Sequence, residues 1–147
     1  TVIVDYAHKP DALDNVLRAA REITKGKLIS VFGCGGDRDK GKRPLMGAIS
    51  EKYADYTFLT SDNPRTENPE TILSEIKAGM TDVNRLTVIA DRREAIKAAV
   101  RSAKAGDCII IAGKGHETYQ ITGSVKHHFD DREEARVAIK EIYGRKN

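Results

Sequence analysis

A chain of 147 residues is long enough for one domain that buries roughly 68–70% of its unfolded surface around a single core. Its formal net charge of +3, with 32% of residues charged, excludes the basic block of a nucleic-acid partner, and sparse aromatics with no tryptophan exclude a base-stacking platform. No apolar run approaches the ~20 residues of a membrane span, no signal peptide opens the chain, and the isolated cysteines Cys34 and Cys108 read as reduced thiols of a cytoplasmic protein.

Short β-branched runs alternate with helical periodicity, the pattern of an α/β domain with a mostly parallel, Rossmann-like sheet flanked by helices. The chain begins at Thr1 without methionine and enters a first strand, Thr1 to Tyr6, at once, a start expected of a piece of a longer polypeptide. Pro10 and Asp11 open a helix whose apolar face is Leu13, Val16, Leu17, Ala20 and Ile23. A second strand, Lys27 to Phe32, leads through a glycine-rich loop into a helix over Pro44 to Ala54, and a third, Tyr56 to Thr60, precedes a helix over Pro69 to Met80. A strand over Leu86 to Ala90, a helix over Arg92 to Lys104 and a last parallel strand, Cys108 to Ala112, complete the α/β units. Thr122-Gly123-Ser124 is a turn between Tyr119–Ile121 and Val125–Phe129, which predicts a β-hairpin, and a charged amphipathic helix over Asp131 to Tyr143 closes the chain. Repeats, low-complexity tracts and linkers are absent from the sequence.

In such sheets ligands collect beyond the carboxyl ends of the strands, and four segments fall there. Asp5-Tyr6-Ala7-His8-Lys9-Pro10 places a carboxylate where it can reach a ribose diol and an imidazole where it can reach a base or phosphate; equally, Asp5 and His8 can simply cap the strand-helix turn. Gly33 to Pro44 has the glycines of a phosphate loop but matches no nucleotide-binding pattern; Arg38 offers an anion-binding head, while Lys42 and Arg43 better suit a solvated loop. In Asp62-Asn63-Pro64-Arg65 the proline restricts its neighbours, so that an amide and a guanidinium are presented in a held geometry, although Asn-Pro also marks plain turns. Gly113-Lys114-Gly115-His116-Glu117 offers a carboxylate and free backbone carbonyls. Donors on one segment suit a carboxylate and acceptors on the other suit an ammonium, so the pair predicts a site for a small zwitterion, an amino acid. His127 and His128 lack metal-ligand spacing and read as surface residues, and His116 receives no role. The chain has no nucleophile elbow, no paired-cysteine metal site and no Walker P-loop, so any ATP it handles must have its phosphates gripped elsewhere.

Taken in order, these four segments closely resemble the C-terminal domain of the Mur ligases, over essentially the whole of residues 1–147. Within that family the chain looks like the members that add meso-diaminopimelate to UDP-N-acetylmuramoyl-L-alanyl-D-glutamate in peptidoglycan synthesis. The resemblance implies an N-terminal UDP-binding domain and a central ATPase domain outside this chain, the latter carrying the P-loop, the Mg2+ and the carbamylated lysine. It implies that the D-glutamyl carboxylate is activated by ATP as an acyl phosphate, which the incoming amine attacks. Carried over residue by residue, Asp5 contacts the ATP ribose with Tyr6 and His8 at the nucleotide. Arg38, Asn63 and Arg65 hold the carboxylate of the diaminopimelate centre remote from the reaction, Asp62 and Pro64 shape the loop, and Gly113 and Glu117 take the ammonium. Arg65 favours diaminopimelate over lysine, which has no second carboxylate. No catalytic residue and no metal ligand is assigned here, and the isolated domain is expected to be inactive. Alternatives are a folylpolyglutamate synthetase-like C-terminal domain, which shares the Asp-x-Ala-His-x-Pro opening but not the Asp-Asn-Pro-Arg loop, and a free-standing amino-acid-binding module.

Overall fold

Five strands form one parallel sheet because each short β-branched run is followed by a helix that must carry the chain back before the next begins. The structure, a computed structural model, describes residues 1–144. In chain order it contains β1 (Val2–Asp5), α1 (Pro10–Ile23), β2 (Leu28–Phe32), α2 (Lys42–Tyr53), β3 (Tyr56–Leu59), α3 (Pro69–Lys77), a 3-10 turn (Val83–Arg85), β4 (Leu86–Val88), α4 (Arg92–Ser102), β5 (Cys108–Ala112), β6 (Tyr119–Thr122), β7 (Val125–His128) and α5 (Asp131–Tyr143). The sheet order is β1-β5-β2-β3-β4, with β6 and β7 as a separate antiparallel hairpin.

Period-two alternation sorts the side chains of the central strands to the two faces. Leu28, Phe32, Leu59 and Ile110 pack with Leu13, Leu17, Met46 and Ile76 of α1, α2 and α3. Ile29, Val31, Phe58, Ile109 and Ile111 pack with Ala95, Ile96, Ala99, Ala135 and Ala138 of α4 and α5. Helices therefore cover both faces, which is why every residue of β2 and β5 is buried. The step from β1 to β2 leaves a gap that α4, crossing on the opposite face, later fills with β5. All five carboxyl ends thus share one edge, with those of β5, β2 and β3 side by side.

The elements match the sequence-based expectation except at ends. Helix α2 starts at Lys42 rather than Pro44, because a proline within the first helical turn lacks only an N–H that has no intrahelical partner anyway. Helix α3 stops at Lys77, before Met80; there Gly79 lies so close to the Pro44 backbone that a Cβ would meet its carbonyl oxygen at 1.8 Å. Strand β4 ends at Val88 and α4 at Ser102. Both cysteines are buried and free, and burial pushes the Cys34 thiol up to about 12, which makes it inert.

Candidate functional site

The carboxyl edge of the sheet opens into a cavity of about 1080 Å³ lined by the loops after β1, β2, β3 and β5. Of the ten residues singled out from sequence, eight line it: Tyr6, His8, Arg38, Asp62, Asn63, Arg65, Gly113 and Glu117. Asp5 and Pro64 do not. The Asp5 carboxylate accepts from Ala7 N at 2.8 Å, holding the turn into α1, with its second oxygen still available. Pro64 acts through its carbonyl, against which Gly36 packs so closely that a Cβ would sit 1.8 Å from it.

The loop after β3 is held by the hairpin. Asn63 Oδ1 accepts from Lys114 Nζ at 2.9 Å and from Ile121 N at 3.0 Å, so the amide oxygen is saturated and the Nδ2 donors are the end left for the cavity. Gln120 Nε2 donates to Asp62 O at 2.7 Å. Arg65 takes a left-handed backbone, φ 53°, a conformation unfavourable for a residue that carries a Cβ, and the hairpin holds it from both sides. Arg65 N donates to Ile121 O at 3.0 Å and Gly123 N donates to Arg65 O at 2.6 Å. The guanidinium is anchored through Nη1 to Gly36 O at 3.0 Å, which leaves further donors toward the cavity.

The loop after β5 supplies the opposite charge. Gly113, at φ 120°, lies against Asp62, where a Cβ would come within 2.9 Å of Oδ2. Lys114 is fully buried, its Nζ 3.3 Å from Asp62 and 3.9 Å from Glu117, and donates to Tyr119 O at 2.8 Å. Burial pushes its ammonium pKa down while Asp62 opposes the shift. Lys114 thus stands between the carboxylates of Asp62 and Glu117, and the guanidiniums of Arg65 and Arg38 line the same cavity. Glu117 also accepts from Tyr119 OH at 3.4 Å, and this neighbouring carboxylate raises the phenol's pKa.

The glycine-rich loop is clipped to the loop after β3 rather than free. Gly36 N donates to Asn63 O at 2.7 Å, and the Asp37 carboxylate accepts from Thr66 N at 3.1 Å and Thr66 Oγ1 at 2.7 Å. Arg43, expected to suit a solvated loop, is instead fully buried: its guanidinium donates to Glu67 at 2.6 and 2.9 Å, to Glu75 at 3.2 Å and to Gly35 O at 3.0 Å. That expectation is corrected because α2 begins two residues early and turns Arg43 inward onto α3. Arg38 keeps an exposed head, with Nη1 donating to Asp37 O at 3.0 Å. The Arg43 guanidinium holds the Glu67 carboxyl down, from an ordinary 4.5 to about 2. A depressed carboxylate pKa means that the unfolded chain binds more protons in acid. The contribution is therefore present above pH 4.5 and lost as pH falls toward 2. Glu67→Gln is expected to flatten that part of the stability-versus-pH curve, as followed by urea unfolding at pH 6 and pH 3.

Tyr6, 47% exposed, forms an aromatic rim with His8 (ring centroids 4.6 Å apart) and His116 (5.8 Å). Gly115, at φ 56°, lets the loop after β5 press against Tyr6, whose Cβ would lie 2.8 Å from an added Cβ. His127 and His128 lie exposed on the hairpin. Among the described residues no group of three or more His, Cys, Asp or Glu could hold a metal ion, and no helix is long and apolar enough to cross a membrane.

A five-stranded parallel sheet with ligand loops at its carboxyl edge and an appended hairpin defines a Rossmann-like ligand-binding domain. The protein-family model described as "Mur ligase, glutamate ligase domain" matches residues 1–115. UDP-N-acetylmuramoyl-L-alanyl-D-glutamate--2,6-diaminopimelate ligase of Thermosynechococcus vestitus is 62% identical over 141 residues, 96% of this chain and 28% of the relative. The protein of the same name from Clostridioides difficile is 57% identical over 97% of this chain and 30% of its own length. A solved structure of a UDP-N-acetylmuramoyl-L-alanyl-D-glutamate--2,6-diaminopimelate ligase superposes with a TM-score of 0.91 at 52% identity, covering 95% of this chain and 29% of that one. A bifunctional folylpolyglutamate synthase/dihydrofolate synthase from Yersinia pestis, complexed with AMPPNP and Mn ion, shares the fold alone, with a TM-score of 0.59 at 20% identity over 76% of this chain. The chain belongs to the Mur ligase family, as its C-terminal domain. It spans less than a third of the length of the curated relatives it matches.

Proposed function

We propose that this chain is the amino-acid-binding domain of a cytoplasmic, ATP-dependent ligase that adds meso-diaminopimelate to UDP-N-acetylmuramoyl-L-alanyl-D-glutamate in peptidoglycan synthesis. One observation carries the reading: a single cavity is lined both by the donor side chains of Asn63, Arg65 and Arg38 and by acceptors, the carboxylates of Asp62 and Glu117 and the backbone of Gly113. A carboxylate and an ammonium on one carbon satisfy both. Diaminopimelate offers two such centres; gripping the remote one orients the other amine toward the D-glutamyl acyl group, which ATP activates as an acyl phosphate. The gain is positional, since a held nucleophile needs no further loss of freedom to react. The high identity to ligases named for 2,6-diaminopimelate supports this substrate over lysine.

ATP fits here at its ribose and base, where Asp5 has a carboxylate oxygen to spare and Tyr6 offers an exposed ring beside His8. No group of three or more His, Cys, Asp or Glu among the described residues could hold a metal ion, and no role proposed here is routed through Mg2+. The phosphates, the metal and the UDP moiety belong, on this reading, to a central ATPase domain and an N-terminal domain of the same polypeptide. The isolated chain is therefore expected to form no amide and to release no appreciable phosphate from ATP, while the complete polypeptide does both with meso-diaminopimelate. Phosphate release and product mass measured on both proteins test this, and turnover by the isolated chain overturns the division of labour.

A further inference from the structure

Lys114 has no part in that reading of the ligand contacts, yet its ammonium is fully buried immediately behind them. It donates to Asn63 Oδ1 at 2.9 Å and to Tyr119 O at 2.8 Å, and its charge stands 3.3 Å from Asp62. Ile121 N, from the hairpin, donates to the same Asn63 oxygen at 3.0 Å. A carboxamide whose oxygen faces two donors cannot rotate by half a turn, because its NH2 would then meet an ammonium and an N–H with no acceptor between them. The hairpin that contributes Ile121 also brackets Arg65, through Ile121 O and Gly123 N, and so maintains its left-handed backbone. The family model ends at residue 115, before the hairpin, whereas the relatives named for diaminopimelate match over 141 or 143 residues. The hairpin therefore lies outside the residues that the family model matches.

We infer that Lys114 and the β6–β7 hairpin form one positioning unit that fixes the donor polarity of the amino-acid site, turning the Asn63–Arg65 end into one that accepts a carboxylate and rejects an ammonium. The inference rests on the amino-acid-site reading above. Lys114 touches no ligand; it acts through Asn63 and Asp62.

The test uses the complete polypeptide that contains this domain. Lys114→Met keeps the aliphatic stem and removes the ammonium. KM for meso-diaminopimelate is expected to rise about tenfold or more, with kcat and KM for ATP changed by less than about threefold. A merely structural lysine would instead lower kcat through the active fraction and leave the KM values alone. In an Asn63→Ala background the same substitution should add less than about threefold to the diaminopimelate KM, because the group it orients is already gone, and full multiplication of the two losses would overturn the inference. Asn63→Asp gives an answer even if Lys114→Met fails to fold. It preserves the acceptor for Lys114 and Ile121 but turns a carboxylate oxygen to the cavity, so the diaminopimelate KM should rise about a hundredfold at unchanged Tm. An unchanged KM in that variant would overturn the assigned polarity. The unmodified polypeptide separates the two readings: if it uses another amino acid, the proposed substrate falls, and the same cycle run with that amino acid still decides the positioning unit.

Discussion

Arg65→Ala in the complete ligase is expected to lower kcat/KM for meso-diaminopimelate by roughly thirtyfold to several thousandfold, the ~2–5 kcal/mol typical of removing one partner of a desolvated, hydrogen-bonded charge pair. Any low activity with lysine should stay nearly unchanged or improve, because lysine lacks the carboxylate that Arg65 is proposed to hold. Arg65→Lys should not rescue. The guanidinium spends Nη1 on Gly36 O and still has donors for a forked carboxylate contact, whereas an ammonium is a point donor that cannot do both in one plane. A third variant separates binding from folding. Arg65 sits at φ 53°, so Arg65→Gly removes the guanidinium while relieving backbone strain of about 1 kcal/mol, and should be at least as stable as Arg65→Ala yet equally impaired. Side-by-side kcat/KM for the two amino acids, with Tm for each variant, decides the matter. Equal losses on both substrates would retire the specificity role.

The fold could be read from the sequence because its signals are local. Each strand is a short β-branched run, and α1 shows its buried face in Leu13 and Leu17 one turn apart. Even the hairpin follows from Thr122-Gly123-Ser124, whose glycine takes φ 62° in open space. The misplaced ends have different causes: α2 starts early because a proline is tolerated in a first helical turn, whereas α3 ends short where Gly79 packs against the Pro44 backbone. The candidate site was legible to the extent that it consists of polar residues at strand ends. What periodicity could not show is which of those residues face the ligand and which stand behind them. Arg43 reads from sequence as a loop charge, and only the packing of α2 beside α3 and the segment leading into it buries its guanidinium against Glu67, 24 positions later. Lys114 carried a usable signal: it is a lysine between two glycines, directly after a wholly apolar strand-like run. Arg65 carried none for its left-handed backbone, since that depends on a hairpin more than fifty residues later in the chain.

Beneath both ligand loops lies the buried pair with the largest expected effect on stability. Arg92, at the start of α4, and Asp131, at the start of α5, are wholly buried and joined by two bonds of 2.7 Å, from Nε to Oδ1 and from Nη2 to Oδ2. Arg92 Nη1 also donates to Ser61 O at 3.0 Å and Nη2 to Ala112 O at 3.1 Å, at the ends of the strands that lead into Asp62 and Gly113. Asp131→Asn nearly preserves shape but leaves a guanidinium in the core without its counter-charge, which typically costs ~3–5 kcal/mol. For a domain of this size that corresponds to a fall in Tm on the order of 10 °C. Replacing both partners by apolar residues of similar volume, as in Arg92→Met with Asp131→Leu, removes the stranded charge and should recover most of the lost stability. It should not recover ligand binding, because Ser61 and Ala112 would still lack the charged donor that fixes where the two loops begin. Tm by calorimetry and diaminopimelate KM in the complete polypeptide, measured for the single and double variants, distinguish these effects. A double variant that regained stability and binding together would show that the pair serves the fold alone.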